Sequence, residues 1–282
     1  MGRITEALKK VSDERIERIQ RKPEAQYIVR KIADTSIEDH VVSFHDPSSP
    51  IGEQYKILRT NMETLRKEKG YKSFVITSSI NGEGKTVTSI NLAISMAQGF
   101  TSKSVLLIDA DMRKSKVAKY LGLENSPGLS DILRGKVTVQ DVIVSPDIEN
   151  LTVIPAGKSL KNAAELLDSK KMESFLKEAK AKYDYIFIDT PPIMPLTDAC
   201  IIGPKIDGVI MVVQAGRTQR DIVKSAKLRL YQSRANTVGF VMTGVEYHLP
   251  HYLHRYVHKY SDYGYYKEKE KAKEPEAALA AK

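Results

Sequence analysis

The sequence predicts an α/β fold in which a mostly parallel sheet carries helices on both faces. Three observations predict it. Short, unbroken apolar runs, such as Val105–Ile108 and Gly208–Val213, have the composition of strands buried on both sides. Segments of helical periodicity separate these runs, and strand–helix alternation favours parallel order. The glycine-rich and acidic sequences follow directly on strands, at the carboxyl ends where such sheets bind ligands.

Taken in order, residues 1–50 read as an amino-terminal arm and linker. Ile4, Leu8, Val11 and Ile19 fall at roughly helical spacing, which predicts an amphipathic helix over 3–21. Asp46-Pro47-Ser48-Ser49-Pro50 reads as the linker. The main domain is expected over 51–246, opening with a helix from Gly52 to Lys69. Strands are expected at Ser73–Thr77, Val105–Ile108, Leu151–Ile154, Tyr185–Ile188, Gly208–Val213 and Val238–Met242. Helices are expected at Val87–Gln98, around Lys114–Leu121, near Leu129–Arg134 and Val139–Ile143, and over Ala163–Lys182 and Thr218–Ser233. From Glu246 the pattern stops, and 247–282 reads as a flexible tail rich in tyrosine.

Composition narrows the function. With 41% hydrophobic residues in 282, the chain has enough apolar sequence for a sizeable core. The single cysteine, Cys200, forms no internal disulfide, and no Cys/His zinc pattern occurs. The amino terminus lacks an apolar signal core, Glu6 stands where myristoylation wants Ser or Thr, and no apolar run reaches the length of a membrane span. The expectation is therefore a cytoplasmic protein. Its net charge of +9 suits phosphate ligands, an anionic surface or plain solubility.

The chemistry lies at three strand ends. The first expected strand runs into Ser78-Ser79-Ile80-Asn81-Gly82-Glu83-Gly84-Lys85-Thr86 and then a helix. The phosphate-binding pattern is Gly, four residues, then Gly-Lys-Ser/Thr. Gly84-Lys85-Thr86 is intact, while Ser79 replaces the first Gly. Glycine lets backbone N–H groups curl around a phosphate, and the helix amino terminus favours negative charge. Asn81, Gly82, Glu83, Gly84, Lys85, Thr86 and Val87 are thus the candidate nucleotide-binding residues. Lys85 suits the β- and γ-phosphates and Thr86 a Mg²⁺ ion. The second strand ends in Asp109-Ala110-Asp111, whose carboxylates share one side of an extended chain. The fourth ends in Asp189-Thr190-Pro191-Pro192, an apolar strand followed by a metal-binding acid. Three acids beside a phosphate loop imply Mg²⁺.

These residues resemble the bacterial protein-tyrosine kinases (BY-kinases) of polysaccharide export systems, P-loop proteins related to the MinD/ParA ATPases. The resemblance spans roughly residues 45–266. It includes Gly128-Leu129-Ser130-Asp131 and Ala164-Glu165-Leu166-Leu167. It implies ATP and Mg²⁺ as cofactors. By the same resemblance, Lys85 neutralises the transferred phosphate, Thr86 and Asp189 hold the metal, Asp111 supports it, and Asp109 accepts the tyrosine proton. It further implies a ring-shaped homo-oligomer built on Glu53, Lys56 and Arg59, with Lys56 in place of the family's first Arg. A separate transmembrane activator of the polysaccharide co-polymerase type would draw the chain to the inner face of the membrane. No nucleic-acid partner is implied. Two departures are Asn81, where the family often has Pro, and Thr243, where it commonly has an Asn near the adenine. Loop chemistry alone also admits GTP.

The tail takes its meaning from the loop. Tyr247, Tyr252, Tyr256, Tyr260, Tyr263, Tyr265 and Tyr266 make up half of the 14 tyrosines. By themselves they suit a docking helix, a metal patch with the neighbouring histidines, a nucleic-acid patch or phosphorylation sites. Beside a kinase-like loop the last reading leads: the chain is expected to phosphorylate its own tail in trans and so regulate exopolysaccharide or capsule synthesis or export. The competing readings are a MinD/ParA-type ATPase switch and a nucleotide-binding scaffold without kinase activity. Against the switch, Ile80 occupies the position of that family's signature Lys.

Overall fold

The structure is a computed structural model that describes residues 36–99 and 103–245. Its centre is a six-stranded sheet in the order β3-β2-β4-β1-β5-β6. The strands are β1 (Ser73–Ser78), β2 (Val105–Asp109), β3 (Leu151–Ile154), β4 (Tyr185–Asp189), β5 (Gly208–Gln214) and β6 (Thr237–Thr243). Every pairing among them is parallel. Because side chains alternate across a strand, each one feeds two cores. Phe74, Ile76, Leu107 and Phe187 join one cluster, while Val75, Ile108, Ile186 and Ile188 join the other. This is why the strands read as continuous apolar runs.

Helix α1 (Val42–His45), α2 (Pro50–Lys69) and α3 (Lys85–Ala97) lie in sequence around β1. From Thr88 to Ala97 every residue of α3 is buried, since α1 and α2 cover what the sheet does not. The expected linker is therefore ordered. Ile37, Val41 and Val42 are buried, and the Asn91 side chain of α3 holds this segment. Its Oδ1 accepts the Ser43 N–H at 2.7 Å and its Nδ2 donates to the His40 carbonyl at 3.0 Å. Asp46–Ser49 is a short turn between α1 and α2, and it leads straight into the helix: Ser49 Oγ accepts the Gly52 N–H and Pro50 fills the first turn. The helix predicted over 3–21 lies outside the described residues.

Other differences have local causes. Residues 139–143 form a single turn where a helix was expected, with the Asp141 carboxylate accepting both the N–H and the hydroxyl of Thr138. The expected helix over 163–182 is two, α6 (Ala163–Leu167) and α7 (Lys170–Lys182), since Ser169 accepts the Met172 N–H and restarts the helix. Between α3 and α6 in the chain lie α4 (Val117–Tyr120) and α5 (Leu129–Arg134), and after β4 come α8 (Asp198–Ile202) and α9 (Arg220–Gln232).

At the opposite edge from the ligand loops, Asp207 ties three elements. Its Oδ2 accepts the N–H groups of Lys72 and Ser73 at 3.0 and 2.9 Å, and its Oδ1 accepts Lys180 Nζ at 3.0 Å. Burial works to raise its pKa, but these donors outweigh it and hold the carboxyl below the ordinary value. Replacing Asp207 with Ala strands the donors, and we expect a loss of roughly 1–3 kcal/mol at neutral pH by urea unfolding. A depressed folded pKa stabilises above the unfolded value, so the gap between variant and wild type should close as pH falls below about 4. A gap independent of pH would count against the role of the ionised carboxylate.

Candidate active site

The register of the sheet assembles the site. Asp109 of β2 lies opposite Asp189 of β4, and Asp189 lies opposite Ile76 of β1, two residues before the strand ends. The loop from Ser79 to Gly84 then rises from β1 and closes on the amino terminus of α3. Gly82 and Gly84 have φ of 82° and 89°, a region that L side chains avoid. A Cβ on Gly82 would also stand 2.7 Å from the Arg217 guanidinium. Ser79, in place of the usual first glycine, is fully buried, and its hydroxyl meets no partner among the described residues.

Behind this loop is a compact charge cluster. Lys85 Nζ stands 3.2 Å from Asp111 Oδ2 and 3.8 Å from Asp189 Oδ2. Thr86 Oγ1 donates to Asp189 Oδ2 at 2.7 Å, and Ser89 Oγ donates to its Oδ1 at 3.1 Å. Burial works against the Lys85 ammonium, yet Asp189 and Asp111 outweigh it and hold its pKa above the usual lysine value. Asp109 is pushed up to about 8, first by burial and then by the neighbouring Asp189. Asp189 is also raised by burial, with Lys85 and Thr86 pulling the other way. Asp109 is fully buried. Its Oδ1 accepts the Asp111 N–H at 3.0 Å, while Oδ2 accepts those of Lys116 and Val117 at 3.1 Å each and so caps α4.

The sequence-derived residues Lys85, Thr86, Asp109, Asp111 and Asp189 are thus brought together, and Asn81, Gly82, Glu83 and Gly84 form the loop above them. Val87 is in the first turn of α3. Glu53 and Lys56 pair at 2.6 Å on the exposed face of α2, whereas Arg59 Nη1 donates to the Ser95 carbonyl within the same chain. The tail tyrosines lie outside the described residues. Sequence reasoning missed Ser89, one helical turn beyond Lys85 and therefore on the same face. It also missed Asp198, which is buried and paired with Arg113 beside the cluster. Burial raises the Asp198 pKa and Arg113 opposes the rise. Arg217 and Thr218, from the turn after β5, touch the loop but carry no local motif.

A parallel sheet, a glycine loop entering a helix, and a Lys–Thr–Asp cluster beneath it define a P-loop nucleotide-binding protein. Residues 72–220 match the AAA domain family. The tyrosine-protein kinase YwqD of Bacillus subtilis (strain 168) is 37% identical over 84% of this chain and 95% of its own. The tyrosine-protein kinase wzc of Salmonella typhi is 31% identical over 81% of this chain but only 30% of its own. Among solved structures, the kinase domain of Escherichia coli tyrosine kinase ETK superposes with a TM-score of 0.71 at 27% identity, over 82% of this chain and 88% of that one. The chain belongs to the bacterial protein-tyrosine kinases.

The cluster makes a prediction about stability separate from catalysis. Lys85→Met removes the only cation within contact distance of both Asp111 and Asp189 among the described residues. In chelator and without nucleotide, the variant should lose roughly 3 kcal/mol by urea unfolding, because buried carboxylates are left unpaired. Unchanged stability would mean that the ammonium does not compensate them.

Proposed function

We propose that this kinase transfers the γ-phosphoryl group of ATP to the tyrosines of its own carboxyl-terminal tail, in trans between subunits, and so regulates exopolysaccharide or capsule synthesis or export. The observation that carries this reading is the joining of Lys85, Thr86, Asp111 and Asp189 into one buried cluster beneath a phosphate loop. In the reaction the tyrosine oxygen bonds to the γ-phosphorus, the bond from that phosphorus to the bridging oxygen of ADP breaks, and the phenol proton passes to a base. A phenol with an ordinary pKa near 10 stays protonated at neutral pH, so the base is needed as attack proceeds. Lys85 offsets the charge gathering on the phosphoryl oxygens.

Asp109 is the proposed base. Both its oxygens are engaged by backbone N–H groups, which fix its position. Oδ1 carries only the Asp111 N–H and keeps a lone pair on which the proton would be received.

The donor set fits Mg²⁺. Among the described residues no group of three or more acids, histidines or cysteines forms a complete cage. Mg²⁺ does not need one, since it keeps waters and takes one or two carboxylates along with substrate phosphates. Thr86 Oγ1 and Asp189 Oδ2 stand together at the loop, a hydroxyl and a carboxylate oxygen of the hard kind that Mg²⁺ takes. Thr86 and Asp189 would hold the ion with Asp111 in support. The ion would supply charge neutralisation for the phosphates.

Outside the site, the reading is a ring-shaped homo-oligomer with Glu53 and Lys56 as the exposed part of its α2 contact, Arg59 being tied to Ser95. No helix among the described residues is long and apolar enough to cross a membrane. A separate transmembrane activator of the polysaccharide co-polymerase type would then recruit this cytoplasmic chain to the membrane. The much greater length of the wzc relative supports a kinase region that works with further polypeptide.

Incubating the protein with Mg²⁺-ATP, with and without membranes, and mapping phosphotyrosine by mass spectrometry tests the activity. Modification at Tyr247–Tyr266 should appear and vanish in Lys85→Met; ATP hydrolysis without phosphotyrosine would favour a MinD/ParA-type switch. Each phosphate adds about −1.5 to −2 charges to the tail. By light scattering the phosphorylated protein should therefore be a smaller assembly than a variant with all tail tyrosines changed to Phe. Equal sizes would sink the idea that tail charge loosens the ring.

A further inference from the structure

The phosphate loop is fastened from outside by side chains that none of the steps above employs. Glu83 is a carboxylate in a loop meant for polyanions, yet it is only 1% exposed. Its Oε2 accepts the Ile80 N–H at 2.7 Å, and its Oε1 accepts Thr218 Oγ1 at 2.5 Å and the Gln214 N–H at 3.3 Å. The backbone carbonyls of the loop are held as well. Arg217 Nη2 donates to the Asn81 carbonyl at 3.0 Å, Arg217 Nη1 to that of Gly82 at 2.9 Å, and Thr243 Oγ1 to that of Glu83 at 2.7 Å. Gln214 Oε1 accepts a further bond from Arg217 Nη1 at 2.9 Å and steadies the guanidinium.

These bonds have a directional consequence. In a planar trans peptide the C=O and the following N–H point in opposite directions. Holding three successive carbonyls on the outer side turns the N–H groups of Gly82, Glu83 and Gly84 the other way, as a concave row of donors. Such a row of backbone N–H groups is an anion-binding concavity. Without the fastening, a loop containing two glycines at positive φ would spend conformational freedom to form that row when the ligand binds.

We propose that Glu83, Arg217, Thr218 and Thr243 are positioning residues that set the phosphate loop in its binding form before nucleotide arrives. The inference rests on the nucleotide-binding reading of the loop and extends it to the turn after β5 and the end of β6.

Calorimetric titration of the full chain with Mg²⁺ and adenylyl imidodiphosphate tests it, alongside thermal melts without nucleotide. Arg217→Ala and Thr218→Val should each weaken binding by roughly 5- to 30-fold, the worth of about one to two hydrogen bonds. Their nucleotide-free melting temperatures should stay within a few degrees of wild type. Glu83→Ala should weaken binding further, and Glu83→Gln should restore part of it, because an amide oxygen still accepts the Ile80 N–H. In turnover assays the variants should raise KM more than they lower kcat. If Glu83→Ala does not fold, the exposed Arg217 and the Thr218 hydroxyl still decide the matter. Wild-type affinity in both Arg217→Ala and Thr218→Val overturns the proposal while leaving the nucleotide reading intact. No binding by the wild-type chain overturns both.

Discussion

Three carboxylates and one ammonium share a small buried volume at the carboxyl edge of the sheet, and much of the surrounding structure follows from making that tolerable. The ladder leaves little choice, since Asp109 faces Asp189 across neighbouring strands. Like charges in a poorly solvated site need donors or cations. Each acid here has them. Asp109 takes the amides that open α4, Asp111 takes Lys85 and the Lys114 N–H, and Asp189 takes the hydroxyls of Thr86 and Ser89. The loop between β2 and α4 is shaped by these needs, as is the choice of small hydroxyl residues on the first turns of α3.

Much of this was legible in the residues themselves. The apolar runs located all six strands because a doubly covered parallel sheet leaves no polar face to confuse the pattern. The Gly82–Thr86 motif and the acidic strand ends located the charge cluster because their spacing is local. What escaped notice depends on contacts distant in the chain. Arg217 and Thr218 look like ordinary turn residues until the turn after β5 is seen against the loop. Asp46–Pro50 has linker composition, but Ser49 and Pro50 are equally good at starting a helix, and only the burial of Val41 and Val42 shows which use prevails. Ser169 was hidden inside a strongly helical stretch because a capping serine and a mid-helix serine look alike in sequence.

The two sides of the loop are built differently. On the inner side the contacts are short, charged and buried, and they position groups with chemistry to perform. On the outer side a buried carboxylate, Glu83, and an exposed guanidinium, Arg217, hold the backbone of the loop itself. The core beneath is apolar on both faces of the sheet and supplies rigidity without taking part. The clustered charged groups therefore come from strand ends and a helix start, and adaptation is left to the turns.

The Asn91 side chain, which grips the segment ahead of α2 from within α3, bears on where this polypeptide may be cut. Trimming the gene at the proline-containing stretch would keep every motif that identifies the enzyme. It would also strip the cover from the outer flank of α3, exposing apolar surface on the same helix that begins with Lys85. A fragment chosen by motif boundaries alone would then be prone to stick to itself, and its silence in an assay would reflect a missing flank rather than a missing activity.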